Sequence, residues 1–159
     1  MKSKEQIRTK LDESESYVNK VLDQVGDRWE QQIYPDGLQW NTRQVLIHIT
    51  EADRGHNFQA MNIAEGKDVI PADFDVERYN ARTTEKFATK TVVEARAELA
   101  ANRKALLEWL DGLDEAKLDR EGRHASGATM TVRNIIRMQA LHAQAHARDI
   151  ARVLGITLG

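Results

Sequence analysis

The chain has 159 residues, 41% apolar and 30% charged, which suits one soluble globular domain with a real hydrophobic core. The formal net charge is −2, so the chain has no excess of basic residues, which argues against a dedicated nucleic-acid binder. The sequence has no cysteine, which excludes disulfides and thiolate chemistry, and no apolar stretch typical of a signal peptide or membrane span, so we expect a cytoplasmic protein.

Four segments repeat apolar residues at alternating spacings of three and four, the pattern of amphipathic helices. The first helix is predicted over Lys4–Val25, after a capping box formed by Ser3 and Gln6. The second begins at Asn41 or Thr42 and continues to about residue 65. The third lies between residues 91 and 113, and the fourth runs from Thr131 to residue 154, with Gly155 as its C-terminal cap.

The connections between these helices differ in length. Residues 26–40 form a turn-rich link, and residues 114–130 are predicted as a loop. Residues 66–90 form a long crossover that we expect to contain a short helix at about 75–87. We expect residues 1–159 to form one domain. Four long helices joined by one long crossover predict an all-α four-helix bundle in which helices 2 and 3 run parallel.

The fourth helix has a polar centre on the side predicted to face the core. Its inward positions by helical spacing are Val132, Ile135, Gln139, His142, His146, Asp149 and Val153. His142 and His146 lie one turn and roughly 40° apart, so their imidazoles can chelate one ion from a single helix. Burying several polar side chains is costly unless they share partners or a metal.

Two histidines hold a metal weakly, so a third ligand is needed. His48 lies on the edge of the inward face of the second helix, and three neutral imidazoles suit Zn, Ni, Fe or Cu. His56 is open to three interpretations: a core residue, a supporting residue or an alternative ligand. His124 follows a glycine-containing loop sequence, and we expect it to face solvent. The alternative for every inward histidine is a hydrogen-bonded core residue without metal.

Four stretches give the chain a resemblance to a known family. They are residues 37–49, from Gly37 through Trp40 to His48; residues 74–80; residues 131–136; and residues 142–150, with His142, His146 and Asp149. In order and spacing the chain resembles the DinB-like superfamily of metal-binding four-helix bundles, which includes DinB/YfiT-type proteins and thiol-dependent maleylpyruvate isomerases.

The resemblance implies metal ligation by His48, His142 and His146 in an up-down-down-up bundle that forms a homodimer. It also implies chemistry with a low-molecular-weight thiol such as bacillithiol or mycothiol, of S-transferase or isomerase type. The thiol-dependent members carry a glutamate where His142 stands, a departure that bears on the isomerase activity. The similarly named DNA polymerase is a different protein.

Two classes of function follow, in addition to a metal-free bundle. The first is a metal-dependent enzyme acting on a small molecule, with Gln139, Asp149 and Asn102 as candidate residues around the site. The second is a non-catalytic, metal-dependent stress or ligand-binding bundle. Because His48 and His142 lie at the edges of their apolar faces, we predict that the metal faces a cleft between helix 2, helix 4 and the 66–90 crossover.

Overall fold

The computed structural model of the chain describes residues 3–158. Within them are five α-helices, a short 3₁₀ helix and a two-stranded antiparallel hairpin. The elements are α1 (Lys4–Asp23), α2 (Thr42–Ala64), α3 (Val76–Lys86), α4 (Val92–Gly112), the 3₁₀ helix (Glu115–Asp119), β1 (Glu121–Arg123), β2 (Thr129–Thr131) and α5 (Val132–Leu154). No helix in this part of the chain is both long and apolar enough to cross a membrane.

Side-chain caps fix where the long helices begin. Ser3 accepts a hydrogen bond from the backbone of Gln6, whose side chain accepts one in return, and Asn41 and Gln44 do the same for α2. At the end of α5, Gly155 adopts a left-handed conformation with φ of 67°, which favours glycine. These caps explain why the predicted helix bounds agree with the structure to within two residues.

The bundle consists of α1, α2, α4 and α5, and two apolar clusters give their directions. One cluster joins the end of α1, the beginning of α2, the beginning of α4 and the end of α5. The other joins the beginning of α1, the ends of α2 and α4, and the beginning of α5. Helices α2 and α4 are therefore parallel to each other and antiparallel to α1 and α5, which confirms the up-down-down-up prediction. The short helix α3 lies in the crossover between α2 and α4, also as predicted.

The prediction of a loop over residues 114–130 was wrong in part, because the segment contains the 3₁₀ helix and the hairpin. Strands of three residues are too short to show a period-two pattern in the sequence. The hairpin packs on the end of α2 through Gly122. A Cβ atom added at Gly122 would lie 2.6 Å from Cγ1 of Ile63, so only glycine permits this close approach.

The face of α5 that enters the core is rotated from the predicted one. At the level of the histidines the buried residues are Ala143, Ala147 and Ile150, whereas His142 and His146 are only partly buried. Alanine is only weakly apolar, so the sequence pattern does not mark these alanines as core positions. The prediction placed the larger histidines at the centre of the buried face instead. In the bundle, the small alanines let neighbouring helices approach closely, and the histidines occupy the seam beside them.

Candidate metal centre

The three histidines predicted as metal ligands meet in space. His48 from α2 and His142 and His146 from α5 each offer one ring nitrogen, and these nitrogens lie within 4.8 Å of one another. All three side chains are partly buried. The single turn between the two α5 histidines and the packing of α2 against α5 bring the rings together.

The distances between the nitrogens suit a shared ion. Nε2 of His142 is 3.0 Å from Nε2 of His48 and 3.2 Å from Nε2 of His146. Two nitrogens bound at about 2.05 Å to one ion lie about 3.3 Å apart at a tetrahedral angle and about 2.9 Å apart at a right angle. Both values fall between these limits, and the donor atoms of His48 and His146 lie within 4.8 Å of each other, so the three rings can form a tripod on one side of a metal position.

Hydrogen bonding alone cannot satisfy both short contacts between the rings. His146 bears its hydrogen on Nδ1, as shown below, so its Nε2 presents a lone pair. A hydrogen on Nε2 of His142 then serves one neighbour and leaves that nitrogen unable to accept from the other. A cation at the point where three Nε2 lone pairs converge satisfies all three nitrogens, so the residues present fit a divalent metal.

A tyrosine from the first connection orients the His146 ring. The Tyr34 hydroxyl donates to Oδ2 of Asp149 at 2.6 Å and lies 2.7 Å from Nδ1 of His146. Because the Tyr34 hydrogen is given to the carboxylate, the hydroxyl oxygen accepts the Nδ1–H hydrogen of His146. This fixes the tautomer that leaves Nε2 free to ligate, which is how supporting residues tune metal sites.

The support of the other two imidazoles is different. The indole of Trp40 lies against the ring of His48, with centroids 4.4 Å apart and planes inclined by 30°. In contrast, Nδ1 of His142 is buried and has no hydrogen-bond partner among the described residues. The orientation of the tripod therefore depends on ring packing at His48 and on the Tyr34 hydrogen bond at His146.

Burial keeps the imidazoles neutral. It lowers the pKa of His48 to about 2 and that of His142 to about 3, with repulsion between the clustered rings as a further cause. The pKa of His146 is also lowered, again by burial, and the Asp149 carboxylate partly opposes that shift. Neutral imidazoles are the form that ligates a metal, so the site is ready for an ion without proton release.

The triad forms part of the lining of the cleft that the sequence predicted, and this part of the lining is called the floor below. The cleft has a volume of about 600 Å³ and is lined by α2, by residues 70–80 of the crossover, and by α5. The hairpin turn at residues 124–126 adds a wall that the sequence did not predict. An ion held at the floor would be reached from solvent, unlike a closed structural site.

The prediction that His124 faces solvent was wrong. Its side chain is 7% exposed, because the hairpin folds back over α2 and places the ring in the cleft. Nε2 of His124 lies 3.0 Å from Nε2 of His56, with the ring centroids 5.2 Å apart and the planes inclined by 18°. No local pattern predicts this contact, because the pairing joins residues 68 positions apart.

The hydrogen bonds of this second pair fix its tautomers. Nδ1 of His56 donates to the carbonyl of Ala52 at 2.8 Å, and Nδ1 of His124 accepts from the backbone N–H of Ser126 at 3.0 Å. His124 therefore donates through Nε2 to the lone pair on Nε2 of His56. Burial is the main cause that lowers the pKa of His56, to about 4, and that of His124. The ring of His56 lies 6.1 Å from that of His142, so it stands beside the triad and is not part of it.

The three other candidate residues have different positions. Asp149 supports the site through Tyr34, as described above. Gln139 is fully buried inside the bundle, away from the cleft lining and near Asp53. Asn102 joins α4 to α2 by donating to the carbonyl of Thr50 at 3.0 Å. Of the three, only Asp149 belongs to the site.

The fold and the triad together define a four-helix-bundle protein with a histidine tripod suited to a metal. The sequence profile of the DinB superfamily matches residues 3–150, and the chain belongs to that superfamily. Among curated proteins none matches the chain in sequence.

Solved structures share the fold at low sequence identity. YfiT from Bacillus subtilis, described as a probable metal-dependent hydrolase with an unusual four-helix bundle topology, is 17% identical, with 97% of this chain and 89% of that chain aligned and a TM-score of 0.75. A protein from Streptococcus pneumoniae is 15% identical, with 99% and 93% aligned and a TM-score of 0.76. A protein from Clostridium difficile 630 is 14% identical, with 99% of both chains aligned and a TM-score of 0.73.

Proposed function

We propose that the protein is a divalent-metal-dependent enzyme that catalyses attack of water, or of a low-molecular-weight thiol in its place, on a small electrophilic molecule in the cleft. The observation that carries this proposal is the position of the three convergent Nε2 atoms at the floor of an open cleft of about 600 Å³. Three protein ligands leave coordination positions for exogenous groups. A metal held there supplies a Lewis acid that polarises a carbonyl and lowers the pKa of a bound water or thiol.

The chain's own residues position the groups around the site. Tyr34 and Asp149 hold His146 in the ligating tautomer. Beside the triad, His56 and His124 are joined through their Nε2 atoms and held by Ala52 and Ser126, so they form a fixed hydrogen-bonded pair in the cleft lining.

Water is the nucleophile favoured first. The residue at position 142 is a histidine, whereas the thiol-dependent members that the chain resembles carry glutamate there. YfiT, whose fold is similar, is described as a probable metal-dependent hydrolase. A thiol remains the second candidate nucleophile, and it must come from solution because the chain has no cysteine.

Activity screening of metal-loaded protein tests the proposal. Protein loaded with Zn²⁺, Ni²⁺ or Fe²⁺ is assayed on ester, amide and epoxide panels, with and without an added thiol. Turnover without thiol identifies a hydrolase, and turnover only with thiol identifies a transferase or isomerase. His146→Ala should abolish the activity, while Leu141→Ala, an exposed residue of α5 outside the cleft, should leave it unchanged. Metal binding without turnover in every panel would favour the non-catalytic binder.

A further inference from the structure

The cleft lining outside the triad includes exposed apolar side chains as well as neutral polar ones such as Gln59, Asn80 and Ser126. Phe58 on α2, Val76 on α3 and Met138 on α5 all line the cleft and are 57%, 41% and 39% exposed. Exposed apolar side chains are ordinary when scattered singly, but a cluster of them around a concave surface marks a binding site. The cluster therefore points to a ligand that covers it.

The short helix α3 is arranged to serve this cleft. It has no fully buried residue, so it contributes little to the bundle core. It is tied to the connection that precedes α2 by the hydrogen bond from Nε1 of Trp40 to Oγ1 of Thr84, at 3.0 Å. Val76 and Tyr79 face the cleft, and Phe74, just ahead of the helix, packs on Tyr79 with ring centroids 5.6 Å apart. The apolar side of α3 thus forms a wall of the cleft.

The described residues that line the cleft include neither lysine nor arginine. The one carboxylate in the lining, Glu51, has a side chain only 4% exposed and is paired with Lys90 at 3.2 Å and with Arg54. A negatively charged group on the outer part of a ligand would therefore lose hydration without gaining an oppositely charged partner.

We infer that the substrate binds with its reactive polar group at the histidine triad and with an uncharged aromatic or branched alkyl body against Phe58, Val76 and Met138. This inference rests on the proposed function and narrows it to neutral, apolar substrates. Nucleotides, sugar phosphates and substrates with a carboxylate far from the reactive group are disfavoured. If a thiol is used, one without charged groups fits this cleft.

Three hydroxamates distinguish binding at the metal on the floor of the cleft from binding against its walls. Acetohydroxamate carries a metal-binding group alone, benzohydroxamate adds a phenyl body, and 4-carboxybenzohydroxamate adds a distal charge. Isothermal titration of Zn²⁺-loaded protein should give benzohydroxamate an affinity on the order of ten-fold above acetohydroxamate, because the phenyl group is removed from water. The added carboxylate should cancel that gain. Equal affinity for all three compounds would overturn the inference while leaving the open metal site intact.

Variants of the walls test the assignment of residues. Phe58→Ala and Met138→Ala should weaken benzohydroxamate binding several-fold and leave acetohydroxamate binding unchanged. Leu141→Ala removes an equally exposed apolar side chain of α5 outside the cleft and should change neither. All three positions are exposed, so these variants are expected to fold. If Leu141→Ala had the same effect as the wall variants, the inference would be wrong.

A metal-independent probe keeps this test separate from the proposed function. If acetohydroxamate fails to bind the Zn²⁺-loaded protein, the proposed function fails, because the ion then offers no open position. The walls are tested separately with Nile red, an uncharged apolar dye, on metal-free protein. The double variant of Phe58→Ala and Met138→Ala should lower dye affinity on the order of ten-fold. Unchanged dye binding would overturn the apolar-substrate inference whatever the metal does.

Discussion

Replacement of Tyr34 by phenylalanine isolates the contribution of the supporting hydrogen bonds to metal binding. The variant removes the oxygen 2.7 Å from Nδ1 of His146 and the donor 2.6 Å from the Asp149 carboxylate. It keeps the aromatic ring and so preserves packing. The His146 ring then has no partner on Nδ1 to hold its tautomer and orientation.

The size of this effect follows from the cost of one buried unpaired donor, about 1–3 kcal/mol, which corresponds to a weakening of about five-fold to more than a hundred-fold. Loss of a supporting residue at other metal sites costs about 10–100-fold in affinity. We therefore expect the Zn²⁺ dissociation constant of Tyr34→Phe to rise by about 10–100-fold, as measured by competition with a chromogenic chelator at pH 7.5.

A matched control removes a hydroxyl elsewhere. Tyr17 is a partly buried tyrosine of α1 that packs against the apolar core and does not line the cleft. Tyr17→Phe should leave the Zn²⁺ dissociation constant within about two-fold of the parent value, as expected for an independent site. A Tyr34→Phe protein that binds zinc as tightly as the Tyr17→Phe control would refute the assigned hydrogen-bond chain.

Three further outcomes concern stability. Metal-free protein should lose stability as the pH falls from about 6.5 towards 4. Histidines such as His56 have a folded pKa of about 4, so over this range they take up protons only on unfolding. Thermal scans in which acid has no effect would contradict this. Gly122→Ala should lower the free energy of unfolding by about 1–3 kcal/mol, because the added methyl group clashes with Ile63. Gly55→Ala, at a helical position with open space, should raise it by about 0.5–1 kcal/mol. Denaturant titrations in which both variants shift the free energy of unfolding in the same direction would be inconsistent with the structure. Arg103→Leu leaves the buried Asp53 carboxyl without its cation and should lower the free energy of unfolding by about 3–5 kcal/mol. Adding Asp53→Asn to the same protein should restore part of this stability. If the double variant recovers none of it, the pairing of Arg103 with Asp53 is refuted.

The acid sensitivity has an opposing contribution. Burial raises the pKa of Asp53 to about 6, with Arg103 partly opposing the shift. Between pH 6 and 4 the folded protein therefore takes up a proton at Asp53 more readily than the unfolded chain does, which stabilises the fold as the pH drops. His48, His56 and His142 all shift in the other direction, so the net effect is a loss of stability in acid.

The long helices and the His142–His146 pair could be predicted from the sequence because both depend on local spacing. Apolar periodicity and capping residues are properties of adjacent turns, and His142 and His146 share a face whatever the helix packs on. The third ligand, His48, required the additional knowledge that α2 and α5 are neighbours, which the resemblance to a known family supplied. The capacity of the triad to hold a metal agrees with its geometry, whereas ligation itself stays a prediction.

The supporting residues could not be predicted because they come from segments without periodicity. Tyr34 lies in a turn-rich connection and reaches His146 across 112 positions of sequence. That segment is held by the backbone hydrogen bond from Ile33 to the carbonyl of Trp40, at 2.9 Å. His124 enters the cleft only because β1 pairs with β2 and Gly122 lies against Ile63. Such long-range pairings depend on the complete fold.

The metal content of the protein and of two histidine variants tests the central claim most directly. The protein is purified without added metal, equilibrated with one equivalent of Zn²⁺, dialysed, and assayed by mass spectrometry of bound metal. The three-histidine site predicts about one ion per chain in the parent and in His124→Ala, whose imidazole lies outside the tripod, and little metal in His146→Ala. Full occupancy in His146→Ala, or a parent protein that holds no zinc, would contradict the account.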